Sequence, residues 1–189
     1  YKRQTVALAN KECLVSAGEI LIKELDKSKA KLLPVDSEHN AIFQVFENHN
    51  KSHLDRLILT ASGGPFRDCS LEEMKEKSPK EALAHPNWNM GNKISIDSAT
   101  MMNKGLEIIE AHYLFGVKES VIDVVIHPQS IVHSLVSYLD GSVLAQLAHP
   151  DMKIPIAYTL SWPNRMNINI PRLDLSKVSL LEFYDPDKD

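Results

Sequence analysis

Asp36, Ser37 and Glu38 follow a short apolar stretch, Lys31 to Val35, that reads as a strand. In an extended chain residues i and i+2 point the same way, so both carboxylates can converge on one point. Hard oxygen ligands of this kind suit Mg²⁺ or Mn²⁺ better than zinc. A solvated acidic loop is the alternative, and two carboxylates alone leave it open. A second set stands on a predicted long helix, where Asn103, Lys104 and Glu107 fall at i, i+1 and i+4 and share one face. Glu107 would complete a metal shell there, and Lys104 would take an oxygen of an anionic ligand. A plain surface Lys–Glu pair is the competing reading. Ser62-Gly63-Gly64 after a strand has the parts of an anion nest, and Ser98 at a helix start adds the positive end of a dipole. A tight turn and an ordinary N-cap are the alternatives. His85 to Gly91 carries Trp88 and Met90 on a polar, Gly-terminated segment that suits a lid over a ligand; a Trp88 tucked into a neighbouring core is the other option. His39, His49, His53, His112, His127, His133 and His149 show no ligand spacing and read as surface or satisfied core residues.

The elements that must position these groups are legible from periodicity. Thr5 to Ala9 is a strand, Leu14, Ala17, Ile20, Leu21 and Leu25 make one stripe of a helix, and Lys31 to Val35 is the next strand. Strand, helix, strand is a βαβ unit, with parallel pairing and a right-handed crossover. A helix over His39 to Phe46, a strand over Leu57 to Thr60 and a capping box at Ser70 and Glu73 follow. Ser78 to Met90 reads as a mobile loop and Ile94 to Ile96 as a brief strand. Ser98 caps a long helix stopped by Gly116, with Met101, Met102, Leu106, Ile109 and Leu114 toward the core. Val121 to Ile126 is a strand, Asp140-Gly141 turns a hairpin between Ile131–Tyr138 and Ser142–Ala148, and Pro150 to Leu160 is a last helix. The tail from Asn164 reads as an extended linker. The class is α/β with an α+β portion.

Composition narrows the partners. Among 189 residues, 21 Lys and Arg stand against 25 Asp and Glu, a net charge of −4, so no basic excess exists for nucleic acid. Two cysteines make no disulfide framework, which points to a reducing compartment. No apolar run approaches the ~18 residues of a membrane span. The start at Tyr1 shows neither an initiator Met nor a signal peptide, and the chain reads as a piece of something longer.

Taken together, longer motifs resemble a known family. Ala7 to Glu12, Leu33 to Gln44, Ser62 to Arg67, His85 to Glu107, His127 to Ser130, Pro155 to Ala157 and Trp162 to Arg165 closely resemble the central part of the 1-deoxy-D-xylulose 5-phosphate reductoisomerases. Cys13 and Ala61 depart from the Ser and Gly of that pattern, and Glu47 to Leu54 looks shortened. The resemblance implies rearrangement of a phosphorylated sugar and hydride delivery from NADPH, giving 2-C-methyl-D-erythritol 4-phosphate. It implies that Asp36, Glu38 and Glu107 bind Mg²⁺ or Mn²⁺, and that Lys11 and Ser37 hold the substrate's hydroxyl and carbonyl region. Ser62, Ser98, Asn103 and Lys104 would hold the phosphate end, with His85 and Trp88 closing from the lid. Asn10, Glu12 and Gly91 would touch the nicotinamide cofactor, with Met90, Ser130 and Met152 beside it. The implied catalytic set is Lys11, Asp36, Glu38, His85 and Glu107. Residues 1–35 then correspond to the last βαβ unit of a Rossmann-like NADPH-binding domain, 36–163 to a mixed-sheet catalytic domain, and 164–189 to a linker toward a helical domain. No dinucleotide loop stands before Tyr1, so the 189 residues alone are expected to lack most of the NADPH site and to be inactive. A homodimer in the bacterial cytoplasm, or in a plastid if the source is a eukaryote, is also implied. Two rival readings are a non-catalytic dimerisation module built on the Asp140-Gly141 hairpin, and a Mg²⁺-dependent sugar-phosphate isomerase without hydride transfer.

Overall fold

The computed structural model describes residues 4–85, 88 and 90–187. Pro86, Asn87 and Asn89 of the expected lid, Tyr1 to Arg3, and Lys188 and Asp189 at the end of the tail lie outside the described residues. Two strands, β1 (Thr5–Leu8) and β2 (Lys31–Pro34), pair in parallel through α1 (Glu12–Ser28), as the alternation of elements predicts. Helix α1 buries Leu14 and Gly18 but exposes Ala17 and Ile20, so the predicted stripe does not hold. The cause is a break from helical geometry at Ala17 (φ −145°, ψ 31°), which rotates the later turns.

The remaining elements are α2 (Ser37–Val45), β3 (Leu54–Ala61), α3 (Leu71–Lys75), α4 (Pro79–Ala82), α5 (Asn92–Ala99), α6 (Met102–Phe115), β4 (Ile122–Ile126), β5 (Val132–Tyr138), β6 (Val143–Leu147) and α7 (Lys153–Ser161). The second sheet runs β4-β3-β5-β6, with β3 and β4 parallel and both other pairs antiparallel. Alternation sets its buried face: Leu57 and Leu59 point inward from β3, and Leu57 stands opposite Val136 of β5. Ile42 and Phe46 at the end of α2, and Ala111 and Phe115 of α6, cover them in one apolar cluster. Met102 and Ile109, expected in the core, are exposed; the sheet-facing side of α6 instead runs Lys104, Glu107, Ala111, Phe115. Gly116 closes α6 in the left-handed region (φ 58°), and Lys51 Nζ donates to the Phe115 carbonyl at 2.6 Å.

Three local expectations give way. Ile94 to Ile96 is helical: one short apolar alternation fits either period, and in α5 Ile94 turns to a cavity while Ile96 turns out. Ser98 accordingly lies in the last turn of α5 rather than capping the long helix, which begins at Met102 after Met101 takes a left-handed conformation. The expected loop from Ser78 opens with α4, held by a capping box of Ser78 and Glu81 like that of Ser70 and Glu73 in α3. The tail also differs from a free linker, because Tyr184 pairs with Ile126 at the sheet edge. No helix of the described residues is long and apolar enough to cross a membrane.

Gly18 sets the distance between α1 and α6. A Cβ built on it would lie 2.4 Å from the Tyr113 ring, so only glycine lets α1 settle this close. Lys11, just before α1, is thereby brought to Glu107.

Candidate active site

Asp36 reaches its place by capping rather than by strand alternation. Its backbone leaves β2 (φ −50°, ψ 135°), its Oδ1 accepts from the Glu38 N–H at 3.2 Å, and Glu38 sits in the first turn of α2. The third acid, Glu107, arrives from α6, and the carboxylate oxygens of Asp36, Glu38 and Glu107 lie within 4.8 Å of one another. Two ammonium groups thread them. Lys11 Nζ is 2.5 Å from Asp36 Oδ2, 2.7 Å from Glu107 Oε1 and 3.0 Å from Asn103 Oδ1. Lys104 Nζ pairs with Glu107, stands 2.9 Å from Glu38 Oε1 and donates to the Thr60 carbonyl at 2.6 Å. Asn103 Nδ2 also donates to Glu107, and Ser37 Oγ donates to Glu38 Oε2 at 2.5 Å.

Burial and charge compete at each group. Burial works to neutralise Lys11, but Asp36, Glu107 and Glu38 hold it charged well above the ordinary lysine range. Lys104 follows the same pattern through Glu107 and Glu38. Burial also opposes the Asp36 charge, yet Lys11 and His39 keep its carboxyl well below the usual range. Glu107 moves up, driven by burial and then by the Glu38 charge against the pull of Lys104. Behind Asp36, His39 is fully buried, with Nδ1 2.9 Å from Asp36 Oδ1 and 3.2 Å from Glu110 Oε2, and Nε2 2.9 Å from the Glu107 carbonyl. Burial alone would lower the His39 pKa; Glu110 and Asp36 raise it to about 9. Burial pushes Glu110 up to about 7, against the His39 charge.

These groups open into a cavity of about 270 Å³. Its lining brings together Lys11, Asp36, Ser37, Glu38, Ser62, His85, Trp88, Met90, Ser98, Asn103, Lys104, Glu107, Ser130 and Met152, all singled out from sequence. Asn10, Glu12 and Gly91 are not among the lining residues. Glu12 pairs with Lys93 instead, and Gly91 is the N-cap of α5. The nest reading of Ser62-Gly63-Gly64 is modified, because the Gly64 N–H turns onto Ser62 Oγ at 3.2 Å. The first turn of α6, with Asn103 and Lys104, supplies the helix N-terminus expected at Ser98.

His85 Nδ1 accepts from the Trp88 N–H at 3.0 Å, leaving Nε2 to face Ser62 Oγ at 2.9 Å, and burial lowers the His85 pKa, favouring the neutral ring. Trp88 lines the cavity with its ring 6.4 Å from that of His133. Sequence reasoning missed His133 and Thr60 in the lining, and His39 and Glu110 behind it. The only signal was weak: Glu110 and Glu107 are three apart on one helix, whereas His133 reaches the site through the pairing of β3 with β5.

Hard oxygen donors with two flanking ammonium groups fit a divalent ion holding an anionic ligand. Residues 32–115 match a model described as 1-deoxy-D-xylulose 5-phosphate reductoisomerase C-terminal domain, and residues 147–189 match a DXP reductoisomerase C-terminal domain. The enzyme of that name from Rhodospirillum centenum is 63% identical over 182 residues, covering 96% of this chain and 45% of the relative. The one from Zymomonas mobilis is 56% identical over 186 residues, covering 98% and 48%. A solved DOX-P reductoisomerase in complex with NADPH, fosmidomycin and magnesium superposes with a TM-score of 0.93 at 54% identity, over 97% of this chain and 47% of that one. The Zymomonas mobilis enzyme in complex with NADPH gives 0.90 at 55% identity, again over 97% and 47%. The chain thus spans just under half the length of the relatives it matches. Identity this high along nearly all of its 189 residues means that the chain belongs to the 1-deoxy-D-xylulose 5-phosphate reductoisomerase family.

Proposed function

We propose that this chain carries the metal- and substrate-binding part of an enzyme that isomerises 1-deoxy-D-xylulose 5-phosphate and reduces the product with NADPH to 2-C-methyl-D-erythritol 4-phosphate. The observation that carries this reading is the gathering of Asp36, Glu38 and Glu107 around one point of a cavity, in a chain of this family. Residues 1–35 are read as the last βαβ unit of a Rossmann-like NADPH-binding domain, 36–163 as the catalytic domain, and 164–189 as the passage toward a helical domain. The parallel β1-α1-β2 unit supports the first division.

Asp36, Glu38 and Glu107 would hold Mg²⁺ or Mn²⁺. Bound there, a divalent ion would acidify a substrate hydroxyl and stabilise charge on the neighbouring carbonyl. Lys11 and Ser37 would fix that hydroxyl and carbonyl. Ser62, Ser98, Asn103 and Lys104 would take the phosphate; since Lys104 Nζ already faces Glu38, Glu107 and the Thr60 carbonyl, it must exchange one of them for the ligand. His85 and Trp88 would cover the substrate and exclude water. Met90, Ser130 and Met152 would wall the nicotinamide, with Asn10, Glu12 and Gly91 contacting the cofactor from outside the present lining. The phosphate lies away from the reacting carbons, so its binding can drive closure and orientation.

The exposed β6 edge, with Val143 and Leu144 at the surface, supports a homodimer joined across it. Bacterial relatives support a cytoplasmic site of action; a eukaryotic source would put it in a plastid. The decisive assay gives the full-length protein 1-deoxy-D-xylulose 5-phosphate, NADPH and Mn²⁺. Metal-dependent loss of nicotinamide absorbance with formation of the tetrol phosphate is expected. Isomerisation without NADPH oxidation would favour an isomerase that needs no hydride donor, and no conversion would reject the reading.

A further inference from the structure

His127 directly follows β4 and is fully buried, yet it stands outside the cavity. Its N–H donates at 2.7 Å to the carbonyl of Ala61, the residue before Ser62. Both ring nitrogens are engaged by main chain. The Glu182 carbonyl, 2.8 Å from Nδ1, can only accept, so Nδ1 carries the proton; Nε2 then accepts from the Ile131 N–H at 3.1 Å. The Phe183 ring stacks on the imidazole with centroids 4.6 Å apart and planes 13° from parallel. Gln129 Nε2 donates to Glu182 Oε2 at 2.6 Å, and Ile126 and Tyr184 exchange backbone hydrogen bonds of 2.8 and 2.9 Å. The Ile131 N–H bond to His127 closes across the turn that carries Ser130, and the other links fix the flank that leads into it. Ser130 lines the cavity in the left-handed region (φ 51°), which a side chain seldom occupies unless its flanks hold it.

We infer that Glu182-Phe183-Tyr184 is a strap that holds the Ser130 turn against the cavity, with His127 as the positioning residue through which it acts. The strap works on the wall assigned above to the nicotinamide, so its consequence for cofactor binding rests on that reading. It does not touch the carboxylate cluster. A tail that merely covered the edge of β4 would leave the Ser130 turn indifferent to its removal.

The test is Phe183→Ala in the full-length protein, a change that removes only the stacked ring and keeps every hydrogen-bonding group. Amide exchange at Ser130 and Ile131 should quicken about tenfold, the scale of one lost aromatic stack. The NADPH dissociation constant should rise by a similar factor, about 5- to 10-fold, while Mn²⁺ titrated alone binds within about twofold of wild type. Should Phe183→Ala fail to fold, His127→Gln serves: its amide oxygen restores an acceptor for the Ile131 N–H while losing the bond to Glu182, and the same split between cofactor and metal is expected. Unchanged exchange at Ser130 and Ile131, or equal loss of NADPH and Mn²⁺ affinity, would overturn the strap. If the wild type binds no NADPH, the functional reading fails on its own, and the exchange rates still decide the strap.

Discussion

Two halves of one helix face show how burial serves different ends. Lys104 and Glu107 point from the first turns of α6 into the cavity, and Ala111 and Phe115 continue the same line into the apolar cluster beneath the second sheet. All four are nearly inaccessible to water. Near Phe115 that seclusion stabilises the fold through apolar contact. Near Glu107 it opposes the fold, since desolvating carboxylates and ammonium groups is costly and their mutual attraction only offsets it. Pairing offsets that cost at Glu107, and the apolar half of the helix holds the cluster in place.

The contrast can be broken from either side. Asp36→Asn keeps an amide to cap α2 but leaves the buried Lys11 and His39 one acid short, so it should cost about 1–3 kcal/mol in denaturant titration. It should also lower turnover of the full-length protein by more than about 1000-fold, the scale expected when an ion loses an anionic ligand; steady-state kinetics at saturating Mn²⁺ checks the second part. Phe115→Ala should separate the two effects, costing about 3–5 kcal/mol in denaturant titration while Mn²⁺ affinity stays within about threefold. Gly18→Ala sharpens the comparison, because it pushes α1 off Tyr113 and so shifts Lys11 relative to Glu107. A stability loss of about 1–3 kcal/mol is expected together with weaker substrate binding, measured by melting and by KM.

The smallest effect concerns pH. Burial lowers the His133 pKa, with the Glu38 charge opposing it and the His127 ring adding to it. The native state therefore refuses a proton that the unfolded chain accepts near pH ~6.5. Stability should be full above that pH, decline as pH falls toward the depressed native value, and decline less steeply in His133→Gln; chemical denaturation at several pH values reads the slope. An identical slope in the variant would assign the acid sensitivity elsewhere.

Much of this was legible in the sequence, for local reasons. The βαβ unit, the hairpin at Asp140-Gly141 and the shared face of Asn103, Lys104 and Glu107 follow from short-range periodicity and turn chemistry. Convergence of Asp36 with Glu38 was expected correctly but for another reason, since a helix cap rather than an extended chain turns both inward. Ile94 to Ile96 was misread because a run of three cannot separate the periods of strand and helix. His39, Glu110 and His133 were not legible as site residues: each matters through partners brought near by tertiary packing, and no spacing rule reports that. The tail's return to Ile126 was invisible for the same reason.

The central claim is that Asp36, Glu38 and Glu107 share one divalent cation. Electron paramagnetic resonance titration of Mn²⁺ into the full-length wild type and its Glu107→Gln variant tests it most directly. One Mn²⁺ per chain is expected in the wild type, with affinity in the variant weaker by more than about 100-fold and NADPH affinity within about threefold. Unaltered Mn²⁺ affinity in Glu107→Gln, or equal loss of both ligands, would contradict the account.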